Sequence, residues 1–164
     1  MNNKFILDAC CGGRMFWFNQ KHPNVMYIDK RNLQKGHCPQ RKSHSVLPDK
    51  VMDFTNLEFE NNSFKLVVYD PPHLKTLGET SYMAQKYGVL NAETWQGDLK
   101  KGFKECWRVL EDYGTLIFKW SETEITLKAV LKLFPYDPLF GHTTGSKEQT
   151  KWICFMKIPK EVKR

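Results

Sequence analysis

Short apolar runs alternate with longer segments of helical spacing along this chain. The runs are rich in β-branched and aromatic residues and stop at polar, Gly or Pro positions, which is typical of strands. We predict strands at residues 5–7, 25–28, 64–69, 115–118, 138–140 and 152–156, with a further short unit at 46–53. Because strands and helices alternate along the chain, the pattern favours a layered α/β fold with a mostly parallel sheet. The length predicts one domain over residues 1–164.

Three segments carry apolar residues at helical spacing. The clearest is 99–110, where Trp107 falls in the apolar stripe and is expected to pack in the core. A second predicted helix covers 125–134. The third is short, at 15–18, and we expect its Trp17 to be a core residue as well.

Acidic residues follow four of the apolar runs. They are Asp8, Asp29, Asp53 and Asp70. In open α/β sheets, ligands bind outside the carboxyl ends of the strands. The sequence therefore predicts a binding site with several carboxylates at one rim of the sheet.

The segment after the first strand is built from small residues and ends in a cation. It consists of Asp8, Ala9, Cys10, Cys11, Gly12, Gly13 and Arg14. Small residues let a ligand approach the backbone, and a following helix offers free N–H groups. Asp29 lies about 20 residues further on, where an acid accepts hydrogen bonds from ribose hydroxyls. The segment is not GxGxxG, which argues against a dehydrogenase; an ordinary turn with Asp8 as a cap is the alternative.

The tetrapeptide after the strand at 64–69 is Asp70-Pro71-Pro72-His73. Proline ends a ladder, and two prolines make a rigid corner that can aim the Asp70 carboxylate and the Pro71 carbonyl at one point. A planar amino group has two N–H donors for these acceptors, which favours a more nucleophilic nitrogen. The flat ring of His73 can stack on a base. A plain proline turn is the alternative.

These motifs together resemble the class I S-adenosylmethionine-dependent methyltransferases, and among them the amino-methyltransferases with a D/N-P-P-aromatic motif. A narrower likeness, to small phage and prophage amino-methyltransferases, is carried by residues 8–18, 70–74 and 118–122. The resemblance implies a Rossmann-like fold: a seven-stranded, mostly parallel sheet with one antiparallel strand near the C-terminus and helices on both faces.

The resemblance also assigns roles to residues. S-adenosylmethionine would be bound by Asp8, Ala9, Cys10, Cys11, Gly12, Gly13, Arg14, Asp29, Lys30, Asp53 and Phe54, and the acceptor would be held by Asp70, Pro71, Pro72 and His73. Arg14 suits either the methionine carboxylate of the cofactor or a surface position. His73 stands where the family usually has Tyr, Phe or Trp, so its role can be stacking, base or donor.

The expected acceptor is an amino nitrogen of a nucleobase, adenine ahead of cytosine. Net charge is +7, and basic residues gather at 30–44 and in the predicted substrate lid at 74–97, which fits a nucleic-acid partner as well as simple solubility. Lys75, Trp120 and His142 are candidate substrate contacts, although packing suits Trp120. The alternatives are a protein glutamine amide, a small molecule, or a non-catalytic cofactor-binding protein.

The cysteine pattern concerns compartment and metals. Five cysteines occur with no CxxC pair, and no apolar run reaches membrane length, so we expect a reduced, cytoplasmic protein without a bound metal. Cys38 with His37 and His44 lacks the second spaced pair of ligands of a zinc site. Residues 157–164 are expected to form a basic C-terminal tail.

Overall fold

The computed structural model describes residues 4–78, 80–142 and 149–159. Its strands are β1 (Ile6–Asp8), β2 (Val25–Asp29), β3 (Lys50–Val51), β4 (Phe64–Tyr69), β5 (Leu110–Ser121), β6 (Phe140–Gly141) and β7 (Thr150–Met156). Its helices are α1 (Tyr82–Tyr87), α2 (Trp95–Val109) and α3 (Leu127–Leu131), with a 3₁₀ turn at Pro39–Arg41. Residues 160–164 of the expected C-terminal tail lie outside the described residues.

The strands form a seven-stranded sheet in the order β3-β2-β1-β4-β5-β7-β6. Neighbours from β3 to β5 are parallel, and β7 is antiparallel to both β5 and β6. This confirms the predicted mixed sheet with one antiparallel strand near the C-terminus. The chain runs from β1 outward to β3 and then returns to β4, so the strand order reverses between β1 and β4. The carboxyl ends of these two strands therefore border the crevice in which such sheets bind ligands.

Helix α2 anchors the crossover from β4 to β5. Its residues Leu99, Phe103 and Cys106 are fully buried, and Phe103 stacks on Phe134 with ring centroids 4.1 Å apart. Trp107 is partly buried against this core and stacks on a neighbouring tyrosine. Burial of each large apolar side chain contributes about 1.5–3 kcal/mol. This packing fixes the position of the β4 end, from which the candidate site is built.

The boundary between α2 and β5 differs from the prediction. The helix was expected to include Leu110 and the strand to begin near 115, whereas α2 ends at Val109 and Leu110 is already extended, with φ −72° and ψ 132°. Leu110 pairs with Phe64 of β4 across the sheet. Its apolar side chain fits a helical stripe and a buried strand equally well, so the local pattern could not place the boundary.

The helix predicted at residues 15–18 is wrong. This segment consists of turns, with hydrogen bonds from Arg14 N to Cys11 O (2.8 Å) and from Trp17 N to Arg14 O (3.2 Å). Gly12 and Arg14 adopt left-handed φ values of 47° and 54°, which interrupt a right-handed helix. Trp17 is only partly buried and packs on a smaller cluster that includes Tyr27. The apolar side chains here make separate contacts instead of one helical stripe.

The segment predicted as a lid, 74–97, contains helix α1 and the first residues of α2. Ser81 caps α1, because its Oγ accepts a hydrogen bond from Ala84 N at 3.1 Å. Lys86 in this helix is buried, with 7% of its surface exposed. The segment therefore packs onto the site region through a short, capped helix.

Gly102 in α2 provides a test of the packing between this helix and the sheet. A Cβ at Gly102 would collide with the Tyr69 hydroxyl and the Phe54 ring, whereas a Cβ at Gly97 meets nothing within 4 Å. We expect Gly102→Ala to lower the free energy of unfolding by about 1–3 kcal/mol through overpacking. The matched Gly97→Ala should raise it by up to about 1 kcal/mol, because alanine favours helix. Urea denaturation measures both, and equal effects would contradict this packing.

The described residues contain neither a helix of membrane-spanning character nor a metal-ligand cluster. None of the described helices combines the length and apolar character needed to cross a bilayer. Within the same residues, no three His, Cys, Asp or Glu side chains come together as a metal site. Cys38 is a buried free thiol, and the rings of His37 and His44 lie tilted to each other with centroids 5.2 Å apart.

Candidate functional site

A cleft of about 460 Å³ lies at the carboxyl ends of β1, β2 and β4. Small-ligand sites commonly measure about 300–1,000 Å³, so this cleft can hold one extended organic molecule. Many of the residues predicted from the sequence line it: Ala9, Cys10, Cys11, Gly12, Gly13, Asp29, Lys30, Phe54, Asp70, Pro71, Pro72 and His73. The parallel sheet therefore brings the small-residue loop, the acid after β2 and the proline motif to one place.

Asp8 supports the small-residue loop from behind. It is fully buried and accepts hydrogen bonds from Trp17 Nε1 at 2.7 Å and Cys10 N at 3.3 Å. Burial raises the pKa of Asp8 to about 7; the nearby charges of Asp70 and Asp29 add to the rise, and the Trp17 bond opposes it. Asp8 is absent from the cleft wall. Its role in the structure is to hold the loop and the Trp17 ring in place.

Asp29 joins the small-residue loop to the chain after β2. Its Oδ2 accepts a hydrogen bond from Gly12 N at 3.0 Å and from Arg31 Nη2 at 3.1 Å. Its Oδ1 accepts from Arg31 N at 2.9 Å and from Arg31 Nε at 3.0 Å. The left-handed φ of Gly12, 47°, turns its N–H toward this carboxylate, a conformation that glycine adopts without strain. Asp29 thus organises the loop and a bidentate arginine at once.

The wall next to β3 is formed by Phe54, whose ring offers an apolar surface for a flat ligand group. Asp53, predicted as its partner in binding, faces away. Its Oδ1 accepts hydrogen bonds from Thr55 N at 2.9 Å and from Thr55 Oγ1 at 2.8 Å. Asp53 therefore caps the local turn that presents Phe54, and it does not line the cleft.

The Asp70 carboxylate sits at the end of β4, where Pro71 and Pro72 stop the ladder. Its Oδ2 accepts a hydrogen bond from Lys119 Nζ at 2.7 Å. Burial raises the pKa of Asp70, while the Lys119 ammonium opposes that rise. Asp70 lines the cleft, so the cleft wall includes a hydrogen-bond-accepting carboxylate with one oxygen held by a cation.

His73 lies among aromatic rings at the edge of the cleft. Its ring centroid is 6.3 Å from that of Trp120, edge-on, and 6.4 Å from that of Tyr87 in α1. Burial lowers the pKa of His73, and the Lys119 charge lowers it further. The ring is therefore neutral at pH 7 and presents a flat surface, which suits stacking against a planar group.

Several predicted contacts point elsewhere. The Arg14 guanidinium donates to Gln20 O and Leu47 O and lies 3.8 Å over the Tyr27 ring. Trp120 is buried and donates from Nε1 to Ile125 O at 2.8 Å, which is the packing role that the sequence also allowed. The remaining two also make contacts away from the cleft: the backbone N–H of Lys75 donates to Glu124 and Nδ1 of His142 accepts from Trp152 N. Arg14, Lys75, Trp120 and His142 are all absent from the described cleft wall.

Other residues line the cleft without having been assigned a role from sequence. Among them are Phe16, His44 and Lys119. Arg31, Lys86 and Tyr87 also line the cleft, and they belong to the basic and aromatic segments expected to meet a nucleic acid. One feature of the sequence could have marked Lys119 as a site residue: it is a cation between two apolar strand residues, Phe118 and Trp120, which are buried in the structure. His44 had none: its Nε2 is buried without a partner in the described part of the chain, 2.8 Å from where a Gly13 Cβ would lie.

The sheet order and the position of the cleft define the fold of the class I S-adenosylmethionine-dependent methyltransferases. Solved structures with this fold include the PH0226 protein from Pyrococcus horikoshii OT3, with 16% identity, a TM-score of 0.58 and coverage of 94% of this chain and 81% of that chain. An S-adenosylmethionine-dependent methyltransferase from Methanosarcina mazei has 13% identity, a TM-score of 0.54 and coverage of 93% and 92%. The N-methyltransferase NodS from Bradyrhizobium japonicum WM9 has 13% identity, a TM-score of 0.52 and coverage of 94% and 85%.

These similarities establish the fold and confirm the Rossmann-like methyltransferase architecture expected from the sequence. Identities of 13–16% leave substrate and residue roles to be argued from this chain's own site. No protein-family model and no curated protein matches the chain.

Proposed function

We propose that this protein is an S-adenosylmethionine-dependent methyltransferase that transfers a methyl group to an exocyclic amino nitrogen of a nucleobase, adenine ahead of cytosine. One observation carries the proposal: the Asp70 carboxylate lies in the same cleft as the small-residue loop and Asp29. A group that can accept hydrogen bonds from an amino group thus faces the region suited to the cofactor.

The residues of the cleft fit the cofactor that this fold implies. Gly12 and Gly13 leave an open cradle in which any Cβ at Gly13 would meet His44. Asp29 is an acceptor for ribose hydroxyls, and Phe54 offers a flat apolar wall for an adenine ring. Lys30 at the rim adds a cation. These residues would hold S-adenosylmethionine, which when bound supplies a methyl group on a sulfonium.

The acceptor would be oriented by the corner after β4. The free oxygen of Asp70 accepts one N–H of the amino group, and the Pro71 carbonyl accepts the other. Held in this way, the nitrogen lone pair is less delocalised into the ring and points at the methyl group. The neutral His73 ring stacks on the base. When the S–CH₃ bond breaks, a neutral thioether would be left and the methylated nitrogen would carry a positive charge. That nitrogen would release one of its original protons through the Asp70 carboxylate to water, which balances atoms and charge.

Charge and aromatic surface support a nucleic-acid acceptor. Lys30, Arg31, Lys86 and Lys119 line the cleft, and the chain carries a net charge of +7. Cations bind the phosphate backbone, and aromatic rings stack on bases in a sequence-tolerant way. A glutamine amide presents the same planar NH₂ to Asp70, but it does not call for a cationic cleft.

The proposal is tested by binding and by transfer. Calorimetry of the purified protein is expected to detect S-adenosylmethionine binding, because the loop, Asp29 and Phe54 form a complete site. Cells producing the protein should contain N6-methyladenine or N4-methylcytosine in DNA or RNA, detected by mass spectrometry of nucleosides against cells with the empty vector.

Two results would overturn the proposal in different ways. Absence of cofactor binding would exclude the methyltransferase function itself. Cofactor binding with label transferred from methyl-labelled S-adenosylmethionine to the protein fraction and not to nucleic acid would retain the enzyme and replace the acceptor.

A further inference from the structure

Lys119 occupies an unusual position in β5. Its neighbours Phe118 and Trp120 are buried on one face of the sheet, so the alternation of the strand directs Lys119 to the other face. There its Nζ lies 2.7 Å from Asp70 Oδ2, and the side chains of Lys119 and Asp70 are only 26% and 19% exposed. This is a partly buried, charge-assisted contact to the central residue of the proposed catalytic motif.

Two aromatic rings restrict the Lys119 ammonium. Nζ lies 5.4 Å from the centroid of Phe16 and 5.6 Å from that of Trp152. These rings pack edge-to-face at 5.4 Å, so they form one continuous surface. Cations over aromatic faces are attracted by the ring quadrupole. The ammonium is therefore held by Asp70 and by the aromatic pair, which limits its freedom to swing into the cleft.

The contact gives the two carboxylate oxygens of Asp70 different tasks. Oδ2 accepts a hydrogen bond from Lys119, whereas Oδ1 has no hydrogen-bond partner within the described residues. Asp70 itself lines the cleft. A lysine ammonium has hydrogen-bond donors and no acceptor, so its partner in the side chain at position 70 must be an oxygen. Within the described residues, Asp8 at the end of β1 and Cys10 in the loop after it are also electrostatically coupled to Asp70. His73 lines the same cleft.

We propose that Lys119 is a positioning residue, which fixes the Asp70 carboxylate by one oxygen so that the other is presented to the acceptor amino group. This inference rests on the proposed amino-methyltransferase function. It explains how a partly buried carboxylate keeps a single orientation in the cleft wall. It also makes aspartate, and not asparagine, the residue required at this position.

The first experiment replaces Lys119 alone and measures transfer to nucleic acid. Lys119→Met should lower kcat roughly 10- to 100-fold, the range expected for loss of one charge-assisted hydrogen bond, with the Kd for S-adenosylmethionine unchanged. The acidic limb of the kcat–pH profile of Lys119→Met should move to higher pH. Burial raises the pKa of Asp70, and this variant lacks the cation that opposes the rise. Lys119→Arg, which keeps the cation, should retain most activity and the wild-type pH profile.

The second experiment tests the orientation directly. In Asp70→Asn, the amide oxygen turns to Lys119 and the NH₂ group faces the acceptor, so two donors meet and activity falls. In the double variant Asp70→Asn with Lys119→Met, the amide is free to turn, and activity should rise above that of Asp70→Asn alone. A role of Lys119 in folding alone would make the double variant worse than either single one.

The outcomes separate this inference from the proposed function. Wild-type kcat and an unmoved acidic limb in Lys119→Met, in an enzyme that Asp70→Ala inactivates, would overturn the positioning role alone. An Asp70→Asn variant as active as the wild type would overturn it as well. Absence of transfer by the wild type would overturn the proposed function and this inference with it. Thermal unfolding of each variant confirms that folded proteins are compared.

Discussion

Asp70→Ala is expected to abolish most methyl transfer while cofactor binding remains. Removal of one preorganised hydrogen-bonding group that acts on the reacting centre typically costs about 100- to 1,000-fold in kcat, and we expect a loss in this range. In the proposed function, Asp70 holds the acceptor, whereas the loop after β1, Asp29 and Phe54 hold the cofactor; all of them line the cleft. The measurement is single-turnover transfer to nucleic acid, with calorimetry for the cofactor Kd.

Asp49→Ala is the matched control for this change. Asp49 is also an ion-paired carboxylate, with Lys4 and Arg14, but it lies away from the cleft. We expect Asp49→Ala to lower stability and to leave kcat unchanged. Equal transfer by Asp70→Ala and the wild type would show that the corner after β4 does not orient the acceptor.

His73→Ala is expected to lower kcat/KM for the nucleic-acid acceptor. Stacking of a base on an aromatic side chain contributes about 1–3 kcal/mol, which corresponds to roughly a 5- to 150-fold loss in kcat/KM. The ring of His73 is available for this role because burial lowers its pKa and keeps it neutral at pH 7. The loss should fall mainly on the KM for nucleic acid, with the cofactor Kd unaffected.

His73→Phe distinguishes stacking from proton transfer. Phenylalanine keeps a flat ring and removes both ring nitrogens, so stacking predicts activity near or above that of the wild type. If His73→Phe is as impaired as His73→Ala, the imidazole acts as a base or a donor instead. Steady-state kinetics at several pH values measures both variants, and thermal unfolding checks their packing against Trp120 and Tyr87.

The rim of acids could be predicted from sequence because it depends on two simple rules. Parallel strands carry their carboxyl ends to the same edge, and an apolar run that stops at an acid marks that edge. Asp8 and Asp29 are the last residues of β1 and β2, and Asp70 directly follows β4. The proline motif was likewise visible, since proline ends a strand wherever it occurs. The seven-stranded, mostly parallel sheet with one antiparallel strand followed from the resemblance, and the structure confirms it.

What could not be predicted depends on long-range partners. The turn at 15–18 follows from left-handed backbone at Gly12 and Arg14, which an apolar tetrapeptide does not reveal. Arg14 was placed near the cofactor by its position in the loop, yet carbonyl groups 6 and 33 residues away hold its guanidinium elsewhere. Lys119 meets Asp70 because β4 and β5 pair in one particular register, and that register lies beyond local patterning.

The arrangement at Asp29 means that ligand binding there is an exchange reaction. A carboxylate offers about four lone-pair sites, and Gly12 N and three nitrogens of Arg31 already use them. A hydroxyl-bearing ligand gains its bonds to Asp29 only as the arginine gives up some of its own. Arg31 Nη1 also lies 3.5 Å from Lys86 O in α1. The affinity measured at Asp29 therefore reflects the free energy of the ligand's hydrogen bonds minus that of the Arg31 hydrogen bonds it replaces. The displaced guanidinium would stay beside α1, which contributes to the cleft wall.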